Sequence, residues 1–359
     1  MDYRDLGRTG IKVSALCLGT MTFGKQNTEE EGHAQLDYAV ERGINFIDTA
    51  ELYPIPPEAK TQGRTEEIIG TWMRAKHNRD KVIIASKVVG RSNMEWFRDV
   101  PQKTNLSRAQ VFEAVDKSLK RLQTDYLDLY QLHWPDRPMQ WGANPVIYEH
   151  QRQTGPEYMN ETVQDAFAML GETFDALEEL VKLGKVRFVA LSNESAWGTM
   201  SALHLTKDRE AVRPQSIQNA YNLLNRTVET ALAEIAMRED VGLLAYSPLG
   251  QGFLTGKYQN GAVPEGSRKK LFQRLQRYET PGADAAIDAY VKLANERGID
   301  PAHLALQFVT TRPFVTSNII GATALHQLET DIDSIGLEWT DELETAVNSI
   351  HLVHTNPCP

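Results

Sequence analysis

Short apolar, β-prone runs alternate with longer amphipathic stretches almost from one end of the chain to the other. The runs are Ser14 to Gly19, Ile44 to Asp48, Val82 to Lys87, Leu127 to His133, Arg187 to Ser192, Ser216 to Asn219, Gly242 to Tyr246 and Asn318 to Gly321, eight in all. Several are apolar at successive positions, the pattern of parallel strands covered on both faces. Helical periodicity marks Glu29 to Arg42, Glu66 to Ala75, Arg108 to Leu122, Val163 to Leu183, Ser195 to Leu205, Val228 to Arg238, Asp284 to Arg297 and Ala324 to Ile335. Ser107 and Thr227 suit N-caps, and Gly43, Gly184, Gly298 and Gly336 suit C-caps. Eight strand–helix alternations predict an α/β fold, a (β/α)8 barrel forming one domain over residues 1–359. Tyr3 to Val13, with Gly7-Arg8-Thr9-Gly10 inside it, reads as a hairpin plugging the N-terminal mouth, and Asp341 to Val353 as a closing helix.

Composition narrows the function classes. With 41% hydrophobic and 24% charged residues the chain can bury a sizeable core, and its formal net charge of −10 works against nucleic acid or anionic lipid as partner. Two cysteines, Cys17 in an apolar run and Cys358 next to the last residue, give no disulfide framework and fit a reducing, cytoplasmic compartment. No signal-like N-terminus and no run of about 18 apolar residues is present, which disfavours secretion and membrane spanning. The mixture of Cys and His shows no metal-ligand spacing.

In a barrel the chemistry sits at the C-terminal strand ends. Asp48 and Tyr53 lie at and just after the second run, Lys87 ends the third and His133 ends the fourth. Neighbouring strands are about 4.8 Å apart, so these side chains can converge. A phenol beside an ammonium is expected to have its pKa lowered from about 10 and to become a better proton donor. Asp48 would keep the lysine charged, and His133 could orient a carbonyl oxygen. Taken singly, each residue has a bland reading as turn, solvated strand end or core histidine; together, on successive strand ends, they outweigh it. Two long connections, Trp134 to Glu161 and Pro248 to Pro281, would overhang the same face. In the first, Trp134, Trp141 and Tyr148 could line a pocket or merely anchor the loop.

DTAELY with Lys87 and His133 resembles the Asp, Tyr, Lys, His tetrad of the aldo-keto reductase superfamily. LGTMTFG, LSN at 191–193, IQNAYN at 217–222, AYSPLGQGFLTGKY at 245–258 and IIGATALHQLETDI at 319–332 follow in the family's order. The insert PIPPEAKTQG, the LHWPDR run, SNES and the closing HTNPCP are most similar to one bacterial subgroup. The resemblance implies NADP(H)-dependent reduction of a small aldehyde or ketone, with Tyr53 as general acid and NADPH (NADP+) as cofactor. It implies that Ser192, Asn193 and Gln218 hold the nicotinamide amide and that Tyr246 stacks on its ring; Trp134 is a candidate substrate contact because it adjoins His133. It places Ser247, Leu249, Gly252, Lys257 and Arg268 along the phosphates, and Thr323, Gln327 and Asp331 at the adenosine end. No Gly-x-Gly-x-x-Gly fingerprint follows an early strand, so a Rossmann site is not supported.

Three departures stand out. Pro54 follows Tyr53 where the family has Gly, and Gly63-Arg64-Thr65-Glu66 arrives only after the insert. Asp331 stands where many relatives have Asn facing adenine; a carboxylate there can accept a hydrogen bond but cannot donate one. Thr330 replaces a common Glu. Two rivals remain: a redox-sensing NADPH-binding module resembling channel-associated barrels of the superfamily, and a barrel hydrolase with Asp48 and Glu51 as paired carboxylates.

Overall fold

The structure, a computed structural model, describes residues 1–137, 162–273 and 276–359. β1 (Tyr3–Asp5) and β2 (Lys12–Ser14) form an antiparallel hairpin. Eight further strands follow: β3 (Leu16–Gly19), β4 (Phe46–Asp48), β5 (Ile83–Val88), β6 (Leu127–Leu132), β7 (Val186–Ser192), β8 (Ser216–Ala220), β9 (Gly242–Tyr246) and β10 (Val315–Ile320). They pair in parallel and in sequence order, and β10 closes on β3 through Asn318 opposite Leu16 and Ile320 opposite Leu18. This is the (β/α)8 barrel expected from the alternation, with helices between the strands.

Period-2 alternation sorts each strand into an inward and an outward set. Cys17, Phe46, Ala85, Leu129, Ala190 and Leu244 pack together inside the barrel, and Leu6 and Val13 of the hairpin join them to seal the bottom. Outward residues such as Ile47, Ile84, Tyr130, Val189 and Leu243 meet the helices in a second, larger apolar layer. An inner floor of apolar side chains thus leaves only the top of the barrel for polar groups.

Several local expectations need correction. Ser14 ends β2 rather than opening a barrel strand, because the chain turns at Ala15. Ser107 occupies the N-cap of the helix Arg108–Leu122 but its side chain makes no capping bond. Thr227 caps no α-helix: its hydroxyl donates to Asn225 Oδ1 at 2.7 Å and it opens a 3-10 turn, with the helix starting at Leu232. Gly336 lies inside a 3-10 turn, whereas Gly43, Gly184 and Gly298 do follow helix ends with positive φ. The helix Pro301–Thr310 was missed; Asp300 caps it by accepting from the Ala302 amide, with Pro301 as its first residue.

The closing helix Asp341–Val353 leads to a tail held against the connections after β8 and β9. Asn356 Oδ1 accepts from the Arg226 amide at 2.6 Å, Pro357 O accepts from the Thr280 hydroxyl at 2.5 Å, and the Cys358 amide donates to Leu224 O at 3.2 Å. Among the described residues no helix is long and apolar enough to cross a membrane.

Candidate active site

At the top of the barrel β4, β5 and the loop after β4 bring Asp48, Lys87 and Tyr53 together. Lys87 is fully buried; its Nζ donates to Asp48 Oδ2 at 2.6 Å, to Thr49 O at 2.8 Å and to Tyr53 Oη at 3.4 Å. A buried ammonium needs such partners, since desolvation of a lone charge is prohibitive. Burial pulls the Lys87 pKa down, but Asp48, and after it Tyr53, pull harder the other way, so the lysine stays charged with a pKa above its ordinary value. His133 lies across from Tyr53, their rings edge to face at 5.8 Å between centroids. Burial, reinforced by Lys87, pushes the His133 pKa well below its usual value, so the ring is neutral. Its buried Nδ1 has no hydrogen-bond partner among the described residues.

Tyr53 departs from the expectation. Its pKa is raised rather than lowered, because burial of the phenol outweighs the Lys87 charge. The hydroxyl therefore carries its proton throughout the neutral range, and Lys87 only limits the rise.

The floor of this site contains a residue that the motif reading did not single out. Gln131 on β6 donates to Asp48 Oδ1 at 3.1 Å, and Gln218 on β8 donates to the same oxygen at 2.8 Å and to Gln131 Oε1 at 3.1 Å. Gln131 lies in register with Lys87 across β5 and β6, and shares the inward parity of Leu129 and His133. Alternation along LDLYQLH was the signal that could have found it. Glu51, by contrast, is not available as a second carboxylate. It is completely buried, bonded to Arg98 at 2.8 and 3.1 Å, and accepts from the Val89 amide at 2.8 Å. This ion pair removes the geometric basis of the paired-carboxylate hydrolase.

The remaining expected residues fall into local groups joined by hydrogen bonds and charge. The Ser192 hydroxyl donates to Gln218 O at 3.0 Å; Asn193, with φ of 50°, donates to His133 O at 2.8 Å and accepts from Tyr246 Oη at 2.7 Å. Arg277, which no motif marked, donates to that Tyr246 oxygen at 3.2 Å. Ser247 and half-buried Leu249 lead into 3-10 turns, where Gly252 has φ of 96° and a Cβ would stand 2.6 Å from Lys257 Cε. Glycine there lets Lys257 lie close over the backbone. The Lys257 pKa is lowered by burial and then by the neighbouring Arg268 cation, against the pull of Asp331. Thr323 donates from both its amide and its hydroxyl to Gln327 Oε1, each at 3.1 Å. Asp331 is buried, and burial raises its pKa to about 8 despite Lys257. At neutral pH it holds a proton, so it offers the donor that an ionised carboxylate would lack.

These residues suit a nicotinamide dinucleotide. Amide and hydroxyl groups gather beside a tyrosine at one end, and two cations lie near each other where phosphates would relieve their repulsion. Trp134 is buried next to His133, its indole N–H donating to Arg91 O at 2.9 Å. Trp141 and Tyr148 lie outside the described residues. A cleft lined by Leu106, Leu132, Arg137, Leu170, Leu191 and Glu194 includes none of Tyr53, Lys87 and His133.

Fold and site together define a (β/α)8 barrel with its polar cluster at the C-terminal strand ends, the arrangement of a barrel enzyme. The profile of the Aldo/keto reductase family matches residues 15–351. The chain is 46% identical to Protein tas of Escherichia coli K12 with both chains fully covered, and 38% identical to an aldo-keto reductase of Babesia bovis, over 77% of this chain and 98% of that one. It is 31% identical to a probable voltage-gated potassium channel subunit beta of Arabidopsis thaliana, over 93% of this chain and 91% of that one. The chain belongs to the aldo/keto reductase family, a family of oxidoreductases acting on carbonyls.

Proposed function

We propose that this protein reduces a small aldehyde or ketone to the alcohol, with NADPH as reductant and Tyr53 as the acid. The observation that carries the reading is the buried chain of contacts from Asp48 through Lys87 to the Tyr53 hydroxyl, with neutral His133 facing it. When bound, the cofactor supplies the hydride. The protein's part is protonation: Tyr53 Oη gives its proton to the carbonyl oxygen as negative charge develops there. Its high pKa keeps the acid loaded beforehand, and Lys87, fixed by Asp48, steadies the phenolate left behind. His133, held neutral, orients the oxygen without placing a second cation beside Lys87. Gln131 and Gln218 hold Asp48 Oδ1 while Oδ2 faces the lysine. The Lys257–Arg268 neighbourhood supports NADPH over NADH, since an extra phosphate suits two adjacent cations.

Purified protein mixed with NADPH and a reactive aromatic aldehyde tests this by absorbance at the NADPH band, with NADH in parallel. Loss of signal that needs Tyr53 is the expected result, and equal turnover by the Tyr53→Phe variant would overturn the acid assignment. The potassium-channel relative supports a second reading, an NADPH-binding regulatory module. Tight nucleotide binding without turnover on any carbonyl offered would favour it.

A further inference from the structure

Arg277 is half-buried at the barrel mouth, its guanidinium 5.6 Å from the Tyr246 ring centroid and donating to the Tyr246 hydroxyl. Tyr246 in turn donates to Asn193, so one hydrogen-bonded line joins Arg277 to the residues read as holding the nicotinamide. Among the described residues no carboxylate lies within ion-pair distance of Arg277, whereas the fully buried cations Lys87 and Arg98 each have one. A desolvated cation left without a counter-charge acts on whatever charge appears nearby.

We propose that Arg277 makes this site favour the reduced over the oxidised nicotinamide. The inference rests on the proposed cofactor reading. Loss of hydride, one proton with two electrons, from the neutral dihydropyridine leaves a pyridinium cation. With the ring against Tyr246, that positive charge arises close to a guanidinium that has no ion-paired carboxylate among the described residues. The oxidised form is therefore held less well than the reduced form. Arg277 is a specificity-determining residue, and Tyr246 fixes where its charge sits.

Dissociation constants for NADPH and NADP+ should be measured by quenching of protein fluorescence at pH 7 and low ionic strength, in the native chain and in Arg277→Gln and Arg277→Lys. The expected result is that Arg277→Gln lowers the ratio of the NADP+ to the NADPH constant by about three- to tenfold, the scale of one charge acting across a partly solvated medium. Arg277→Lys should keep most of the ratio. An unchanged ratio in a folded Arg277→Gln protein, or an equal weakening of both nucleotides, would overturn the inference while leaving the cofactor reading intact. Failure of the native chain to bind either nucleotide would overturn the cofactor reading itself.

Discussion

The floor of the site and its rim solve opposite problems. On the floor every charge has an answer inside the protein: Lys87 faces Asp48, and Asp48 is held by Gln131 and Gln218. On the rim Lys257 lies near Arg268 with its pKa lowered, and Asp331 is buried with its pKa raised. Floor residues stand on strands paired on both sides, whereas Lys257 and Arg268 belong to the connection after β9. Proton chemistry requires groups fixed before the substrate arrives. A ligand can meet charges held on connecting segments, and the contrast fits the proposed division of chemistry on the floor and recognition on the rim.

Tyr53→Phe should break the floor with the largest effect, lowering turnover by about 10²- to 10⁴-fold while NADPH affinity stays within about twofold. Steady-state rates and fluorescence titration check both halves; a matching loss of affinity would mean that Tyr53 belongs to the rim. Lys87→Met should also cripple turnover, and in addition lower stability by about 3–5 kcal/mol, because Asp48 would be left as an unpaired buried charge. Denaturant unfolding of the double variant Asp48→Asn/Lys87→Met should recover most of the stability but none of the rate. Glu51→Leu should cost stability of similar size by stranding Arg98, yet leave the pH profile of residual turnover unchanged, since Glu51 moves no proton.

A pH-dependent effect probes the rim. The folded-state pKa of Asp331 is raised to about 8 from an ordinary 3.8, so the native protein binds more protons than the unfolded chain between those values. Stability contributed by this group therefore falls as pH rises from about 4 to about 8 and is level above that. Asp331→Asn should make unfolding less pH-dependent across that window, with its advantage over the native chain largest near pH 8 and above. A constant difference between the two unfolding curves would show that Asp331 is ionised at neutral pH.

Much of this architecture was legible in the sequence because alternation and helix stops are local signals. The barrel followed from the alternation, the hairpin from Gly7 to Gly10, and the convergence of Asp48, Tyr53, Lys87 and His133 from their places at or after strand ends. What escaped reading depends on distant partners. Glu51 can be read from sequence as a partner for Asp48, but its bonded partner in the fold is Arg98, 47 residues later. Gln131 is a polar residue within a mainly apolar strand, and only the fold brings Gln218 of β8 beside it. Proximity of Lys87 to Tyr53 was foreseen, but the direction of the Tyr53 pKa depends on how dry the pocket is, which no spacing reveals. The helix Pro301–Thr310 was overlooked for a different reason: its apolar residues lack a clear polar face, although Asp300-Pro301 is a start signal.

The seam between β3 and β10 has a consequence for how the molecule comes into being. Asn318 pairs with Leu16, so the barrel's first and last walls meet only when nearly the whole chain has been made. During synthesis from the N-terminus, Asp48, Tyr53, Lys87 and His133 all emerge before residue 134, whereas Lys257, Arg268, Thr323 and Asp331 come more than a hundred residues later. A nascent chain stalled midway thus possesses the groups read as its acid machinery but lacks both the closing staves and the grip on a nucleotide. The last strands to be made therefore complete both the wall of the barrel and the residues proposed to hold the nucleotide.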